Sequence, residues 1–176
     1  RVLDVLNNVD TVVANSEFTK NLATKCGVDA SRIVVINPGV NSAEELNKKT
    51  NNKVESLLKQ KTPRLITVSR YDKRKNHEKV IMALRNLKQI YPDIIYICVG
   101  HGDEEKNIKN LVTELDLDGQ IMFFKDISSE LKNSLVAQSN IFVMPSIVYK
   151  KSVEGFGITY IEAASYGKPS IGGIYG

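Results

Sequence analysis

From residue 65 to residue 144 the chain repeats one pattern. A short run of continuous apolar residues is followed by a longer segment whose apolar residues recur at helical spacing. Leu65 to Ser69, Ile94 to Val99, Gln120 to Phe124 and Asn140 to Met144 read as strands. Between them, Asn76 to Tyr91 carries Val80, Leu84 and Leu87 on one face, with Pro92 beyond its end. A second helix carries Ile108, Leu111, Val112 and Leu115, and Ser128 or Ser129 caps a third that runs to Gln138. Strands without polar alternation are buried on both faces, and strands that alternate with helices pair in parallel. The predicted fold is therefore α/β: a Rossmann-like parallel sheet with helices on both faces and right-handed crossovers.

The flanks fit the same scheme. Residues 10–15 read as a short strand, Ser16 as the N-cap of a helix ending at Gly27, and Arg32 to Ile36 as a further strand. Asn37 to Asn41 is a turn, and residues 41–52 are a polar linker or the start of an irregular amphipathic helix. That stretch is the best boundary, dividing the chain into residues 1–41 and 42–176. The chain starts at Arg1 and ends in a glycine-rich loop at Gly176, and is expected to be a piece of a longer protein.

Composition excludes several classes. Apolar content of 42% and charged content of 25% are those of an ordinary globular protein. No apolar run reaches membrane-spanning length. The net charge of +4 is scattered among acids rather than gathered in a basic stripe, so no nucleic-acid partner is expected. It suits an anionic small ligand or acidic lipid. Cys26 and Cys98 lie on apolar segments and read as buried free thiols in a reducing compartment. Neither histidine is spaced for a metal, so no metal site and no cofactor are expected.

In an open α/β sheet, ligands bind off the carboxyl ends of the strands. Two stretches there carry chemistry. Glu154-Gly-Phe-Gly-Ile-Thr-Tyr-Ile-Glu162 leads from Met144-Pro145-Ser146 into a helix stopped by Gly167 and Pro169, with Ile158, Ile161 and Ala164 as its buried face. Gly155 and Gly157 at that helix start leave outward amides suited to an anion. Glu154 and Glu162 are acceptors suited to hydroxyls. A ligand with hydroxyls at both ends and phosphates between is a nucleotide-sugar; the plain alternative is a glycine-rich turn with two solvated glutamates. The second stretch, Ser69 to Asn76, holds four cations in six positions. Arg70 can grip phosphate and Lys75 can add a point charge, whereas Lys73 and Arg74 read as solvent-facing. Gly100-His101-Gly102-Asp103 reads as a strand–helix turn with Asp103 as N-cap. His101 has no visible acid partner.

Together these residues resemble the donor-binding half of a group 1 (family 4) glycosyltransferase of two-domain GT-B architecture. The matching elements are Asp10 to Ser16 with Ile33 to Asn41, then Val68-Ser69-Arg70 with Lys75-Asn76. The third is Met144-Pro145-Ser146 followed by Glu154, Glu162, Ala163 and Gly167-Lys168-Pro169. The resemblance implies a hexosyltransferase that moves sugar from a UDP- or GDP-sugar to a glycan or lipid-linked acceptor. It implies retention of anomeric configuration, no metal, and a role in polysaccharide biosynthesis. Arg70 and Lys75 would hold the pyrophosphate and stabilise the leaving diphosphate, and Glu154 would touch the sugar hydroxyls. The amides of Gly155, Phe156 and Gly157 would approach sugar and phosphate, Glu162 would accept from the ribose, and main chain near Asp126 and Ile127 would face the base.

The chain departs from the family pattern where Asn76 stands for a glycine, near Lys125, where the family often has one, and where Tyr149-Lys150-Lys151 extends a loop. Residues 1–41 would close the N-terminal acceptor domain, the rest of which is missing. The chain alone is thus expected to be inactive, because transfer needs both substrates aligned. A cytoplasmic location is expected, with any peripheral contact to the inner face of a membrane made through the acceptor domain. A non-catalytic nucleotide-sugar-binding module and a nucleotide-sugar epimerase are the other readings of the same residues.

Overall fold

A computed structural model describes residues 2–40, 43 and 45–174 of the chain. The predicted boundary at 41–42 and the end of the glycine loop at Gly176 lie outside the described residues.

The elements follow the expected alternation. The helix α1 (Val2–Asn8) precedes β1 (Val12–Ala14), α2 (Glu17–Lys25) and β2 (Ile33–Val35). Then come α3 (Lys48–Leu57), β3 (Arg64–Val68), α4 (His77–Ile90), β4 (Ile95–Val99) and α5 (Glu105–Glu114). The chain closes with β5 (Ile121–Phe124), α6 (Ser129–Gln138), β6 (Ile141–Met144), α7 (Ile158–Ser165) and β7 (Ser170–Gly172). Every strand pairing is parallel. Strands β1 and β2 form a two-stranded sheet, and the other five lie in the order β5-β4-β3-β6-β7.

That order fixes where a site can be. The chain leaves β3 in one direction through α4 and α5, then returns across the centre to β6. The two stretches that diverge from β3 and β6 therefore open a crevice between them, the switch point of the sheet. The layers follow from strand periodicity. Tyr96 and Cys98 of β4 face α4 and α5, packing with Val80, Ile81, Leu84, Ile108 and Val112. Ile95, Ile97 and Val99 face the other way, onto Val54, Leu58, Leu135, Val136 and Ala163 of the α3, α6 and α7 layer. All of β4 is buried, which is what its unbroken apolar sequence requires.

Local signals explain most of the boundaries. The Ser16 side chain accepts from the Thr19 amide at 3.1 Å and caps α2. Ser128, not Ser129, caps α6, accepting from the Leu131 amide at 3.2 Å. Of the two readings of residues 41–52, the amphipathic helix is the one found: α3 begins at Lys48, capped by Asn47. Three expectations need correction. Helix α5 starts one residue late for Asp103, with Glu104 at the N-cap and no side-chain bond there. Cys26 is exposed; only Cys98 is buried, and burial pushes its thiol pKa up. The buried face of α7 is also different. Ile158 is 43% and Ile161 37% exposed, while Ala163 is fully buried. Tyr160 turns inward instead, its ring edge-on to Phe142 and its hydroxyl donating to the Met144 carbonyl. Two apolar stripes offset by two residues compete in this helix, and the one that can satisfy a tyrosine hydroxyl wins.

Candidate functional site

The crevice is assembled from both sides of the switch point. After β3 the chain makes a tight helical turn at Lys73–Lys75, capped by Asp72, whose carboxylate accepts from the Lys75 amide at 3.1 Å. This turn swings Arg74 and Lys75 inward, to 8% and 9% exposure. Arg74, expected in solvent, is buried because the turn points it inward. Asn76 follows in the left-handed region at φ 59°, a backbone that favours glycine and that asparagine tolerates. Its amide side chain donates to the Pro145 carbonyl at 3.2 Å, and the Ile147 amide donates to the Arg74 carbonyl at 2.8 Å. These two bonds fasten the β3 and β6 loops together.

Glu154 is the focus of the joint. Its Oε2 lies 2.5 Å from Arg74 Nη1 and 2.5 Å from Lys75 Nζ, and accepts from Ser146 Oγ at 3.2 Å. Burial alone would raise the Glu154 carboxyl, but the bonds and charges of Lys75 and Arg74 outweigh it and hold the carboxyl below its ordinary range. Lys75 Nζ also lies 3.4 Å from Met144 Sδ. Arg70 is far more open, its side chain 82% exposed and 3.8 Å from Asp72.

Beside this cluster lies a cleft of about 370 Å³ off the ends of β3, β4 and β5. Ser69, Arg70, Asp126, Ile127, Lys132 and Thr159 are among its lining residues. Glu162 reaches its rim through Lys132, at 3.1 Å. His101 does have an acid neighbour, with Nε2 3.5 Å from Asp126 Oδ1. Asp126 takes a left-handed backbone at φ 50°, next to Lys125, near which the family pattern has a glycine. Gly157 caps α7 at φ 82°, and no side chain caps that helix, so its first amides keep their donors for something else. Phe156 is half-buried on the loop before it. The Gly155 carbonyl is engaged elsewhere: it accepts from Ser16 Oγ at 2.6 Å, so the loop is tied to the first helical turn of α2.

Beneath the cleft runs a buried polar chain. Thr67 donates to the Val143 carbonyl, so its oxygen is left to accept from Tyr96, at 2.7 Å. Tyr96 in turn meets His77 Nδ1 at 2.9 Å, and His77 Nε2 meets Ser69 Oγ at 3.1 Å. Burial pushes the His77 pKa down to about 4; Asp72 opposes that fall and Lys75 adds to it. The neutral ring with its proton on Nδ1 completes the chain of donors.

The structure thus brings together Lys75 with Glu154, Arg70 with Asp126 and Ile127, and Glu162 with the cleft rim. Sequence reasoning missed Arg74, Ser146, Lys132 and Thr159. Arg74 left a signal, a cation next to Lys75, and Ser146 and Thr159 lie within the motifs singled out without being given a role. Their roles, and that of Lys132, depend on which loops and helices meet across the sheet.

The fold and crevice define a class before any family does. The structure matches the Anabaena protein Alr3699/HepE, solved in complex with UDP and glucose, with a TM-score of 0.83 at 22% identity, over 97% of this chain and 46% of that one. A glycosyltransferase from Rickettsia africae matches with a TM-score of 0.78 at 27% identity, over 97% of this chain and 47% of that one. Both place the fold among GT-B structures. The family follows from sequence: the model for "Glycosyl transferases group 1" matches residues 48–175, and that for "Glycosyltransferase Family 4" matches residues 1–44. The chain belongs to the group 1 glycosyl transferases. Among curated relatives, the alpha-1,3/1,6-mannosyltransferase ALG2 of Kluyveromyces lactis is 29% identical over 91% of this chain and 37% of its own length. A GDP-mannose-dependent phosphatidylinositol monomannoside mannosyltransferase of Mycolicibacterium smegmatis is 29% identical over 65% of this chain and 30% of its own. The chain spans only about a third of these relatives. No helix among the described residues is long and apolar enough to cross a membrane.

Proposed function

We propose that this chain carries the donor site of a hexosyltransferase that takes sugar from a GDP- or UDP-sugar and delivers it, with retention, to a glycan or lipid-linked acceptor. Residues 42–176 form the donor domain, and residues 1–41 belong to the end of the acceptor domain. The observation that carries the reading is the cationic joint at the switch point, where Lys75 meets Glu154 at 2.5 Å beside a nucleotide-sized cleft. Arg70 and Lys75 hold the pyrophosphate and stabilise the diphosphate as it leaves, a task that needs fixed positive charge in a partly dry site. Glu154 orients the sugar hydroxyls, and the amides of Gly155, Phe156 and Gly157 face sugar and phosphate. Glu162 accepts from the ribose, and main chain at Asp126 and Ile127 borders the base. The similarity to mannosyltransferases supports a hexose donor, and a GDP-mannose-dependent relative makes GDP one of the two bases to test.

Calorimetric titration of the full-length protein with UDP and GDP tests this. One of them binds, and Glu162→Ala and Lys75→Ala each weaken it by about tenfold or more, the worth of one charged hydrogen bond. Binding unchanged in both variants would remove the site from this crevice.

A further inference from the structure

Two cations share one carboxylate oxygen here, and their surroundings differ. Lys75 ends in a rotatable ammonium whose remaining contact is a methionine sulfur. Arg74 is nine-tenths buried and planar, with Nη1 on Glu154, Nη2 4.0 Å from Asp72, and Nε buried without a partner among the described residues. Its backbone is pinned as well, through the bond from Ile147. The cluster of Arg70, Arg74, Lys75, Asp72 and Glu154 sets three cations against two carboxylates, leaving one positive charge in excess.

We infer that Arg74 is a positioning residue: it is the standing counter-charge of Glu154, and by holding that carboxylate it frees Lys75 for the diphosphate of the donor. The inference rests on the donor-site reading above. An incoming diphosphate needs Lys75, and Lys75 can turn to it only by loosening its hold on Glu154. With Arg74 in place the half-buried carboxylate stays paired throughout. Without Arg74, the same movement strands a carboxylate in a poorly solvated joint, which is among the more costly things a protein can do. The site also loses its excess charge, so Lys75 and Glu154 close on each other as a neutral pair. Arg74 therefore acts through Glu154 and Lys75 rather than by touching phosphate. Lysine at this position keeps the charge but loses the planar fork, and so keeps part of the effect.

The test is calorimetric titration of the full-length protein with UDP and GDP, comparing wild type, Arg74→Ala, Arg74→Lys, and Arg74→Ala combined with Glu154→Gln. Arg74→Ala is expected to weaken binding of the preferred nucleotide about tenfold or more, and Arg74→Lys to recover part of that loss. The decisive variant is the double one. Glutamine cannot hold Lys75 as a carboxylate does, so Arg74→Ala with Glu154→Gln should bind to within about threefold of wild type. The void left by the Arg74 side chain would not be repaired by a further change at Glu154, nor would the lost hydrogen bonds of a direct phosphate contact. Arg74→Ala binding like wild type overturns the inference, and so does a double variant that stays as weak as the single one. In both cases wild-type binding leaves the donor site standing. Wild type that binds neither nucleotide overturns the donor site and the inference together.

Discussion

Residues 2–40 and residues 45–174 are written in the same sequence idiom and held together differently. Both alternate apolar strands with capped helices, and both pair their strands in parallel. The first region buries only Ala14, Val28 and Ile33. Neither α1 nor α2 has a buried residue, and Val13 and Val34 of its two strands are 61% and 48% exposed. The second region has two apolar layers, one on each face of a sheet whose central strands are almost wholly enclosed. The same local pattern thus yields recognisable elements in both places, but burial, which supplies most of the stability of a fold, is concentrated in one. Among the described residues, the first region is held by parallel pairing, by the Ser16 cap and by the bond from Ser16 to the Gly155 carbonyl.

The sharpest way to break that comparison is to cut the core on each side. Ile97 is fully buried in the centre of β4, and Ile33 is 3% exposed in β2. Ile97→Ala should cost about 2–5 kcal/mol, because neighbours on a rigid sheet collapse little into the cavity. Ile33→Ala removes the same atoms from a thin cluster that can relax, and should cost about 1–2 kcal/mol. Urea denaturation of both variants gives the difference directly. Equal costs would mean that the two regions share one core.

The contrast also says what the sequence could and could not reveal. The strands of the large sheet were legible because burial on both faces leaves an unbroken apolar run, as in Ile94 to Val99. Helix α3 was legible only as one of two readings, because Val54 is its one buried residue. The phase of α7 was missed because its two apolar stripes look alike until Tyr160 needs an acceptor. In the site, Lys75 and Glu154 were legible as separate residues from their spacing and their places at strand ends. Their joining to Arg74 and Ser146 was not, since it depends on a tight turn after Asp72 that points Arg74 inward. Contacts such as Lys132 with Glu162 arise only when α6 and α7 come to lie on one face. Asn76 and Asp126 explain two departures from the family pattern. Each takes or adjoins the left-handed place of a glycine, which these two residue types can do at modest cost.

A second test uses acid. His77 belongs to the large region, enclosed by Ser69, Tyr96 and the edge of Tyr71, with Asp72 and Lys75 as the charges that act on it. Its folded pKa near 4 lies below the ordinary value of 6.5, so between these values the unfolded chain binds the extra proton. Stability is therefore complete above pH 6.5 and falls as pH drops toward 4, by about 3 kcal/mol from this group. His77→Gln should flatten the stability profile between pH 6.5 and 5, leaving the fall below 4.5 that Glu154 adds as its carboxyl protonates. Residues 2–40 contain no histidine. Their own local opening, followed by hydrogen exchange corrected for intrinsic rates, should not change between pH 7 and 5.

The smallest expected effect falls on the bond between the two regions. Ser16 Oγ accepts from the Thr19 amide, capping α2, and donates to the Gly155 carbonyl of the other region. Ser16→Ala removes both and should cost about 1–2 kcal/mol, the usual worth of a cap together with a hydrogen bond. Ser16→Asp separates the two. A carboxylate caps a helix as well as a hydroxyl does, and also favours its positive end, but it has no proton to give and faces the Gly155 carbonyl with like polarity. Hydrogen exchange at the first amides of α2 should then stay slow in Ser16→Asp while the amides of residues 154–157 speed up by a fewfold. Thr19 Oγ1, 3.3 Å from the same carbonyl, keeps that change modest. If both sets of amides speed up together, the order of residues 2–40 depends on the crossing bond. If neither does, the cap alone holds α2, and the loop that carries Glu154 owes its position to Arg74 and Lys75.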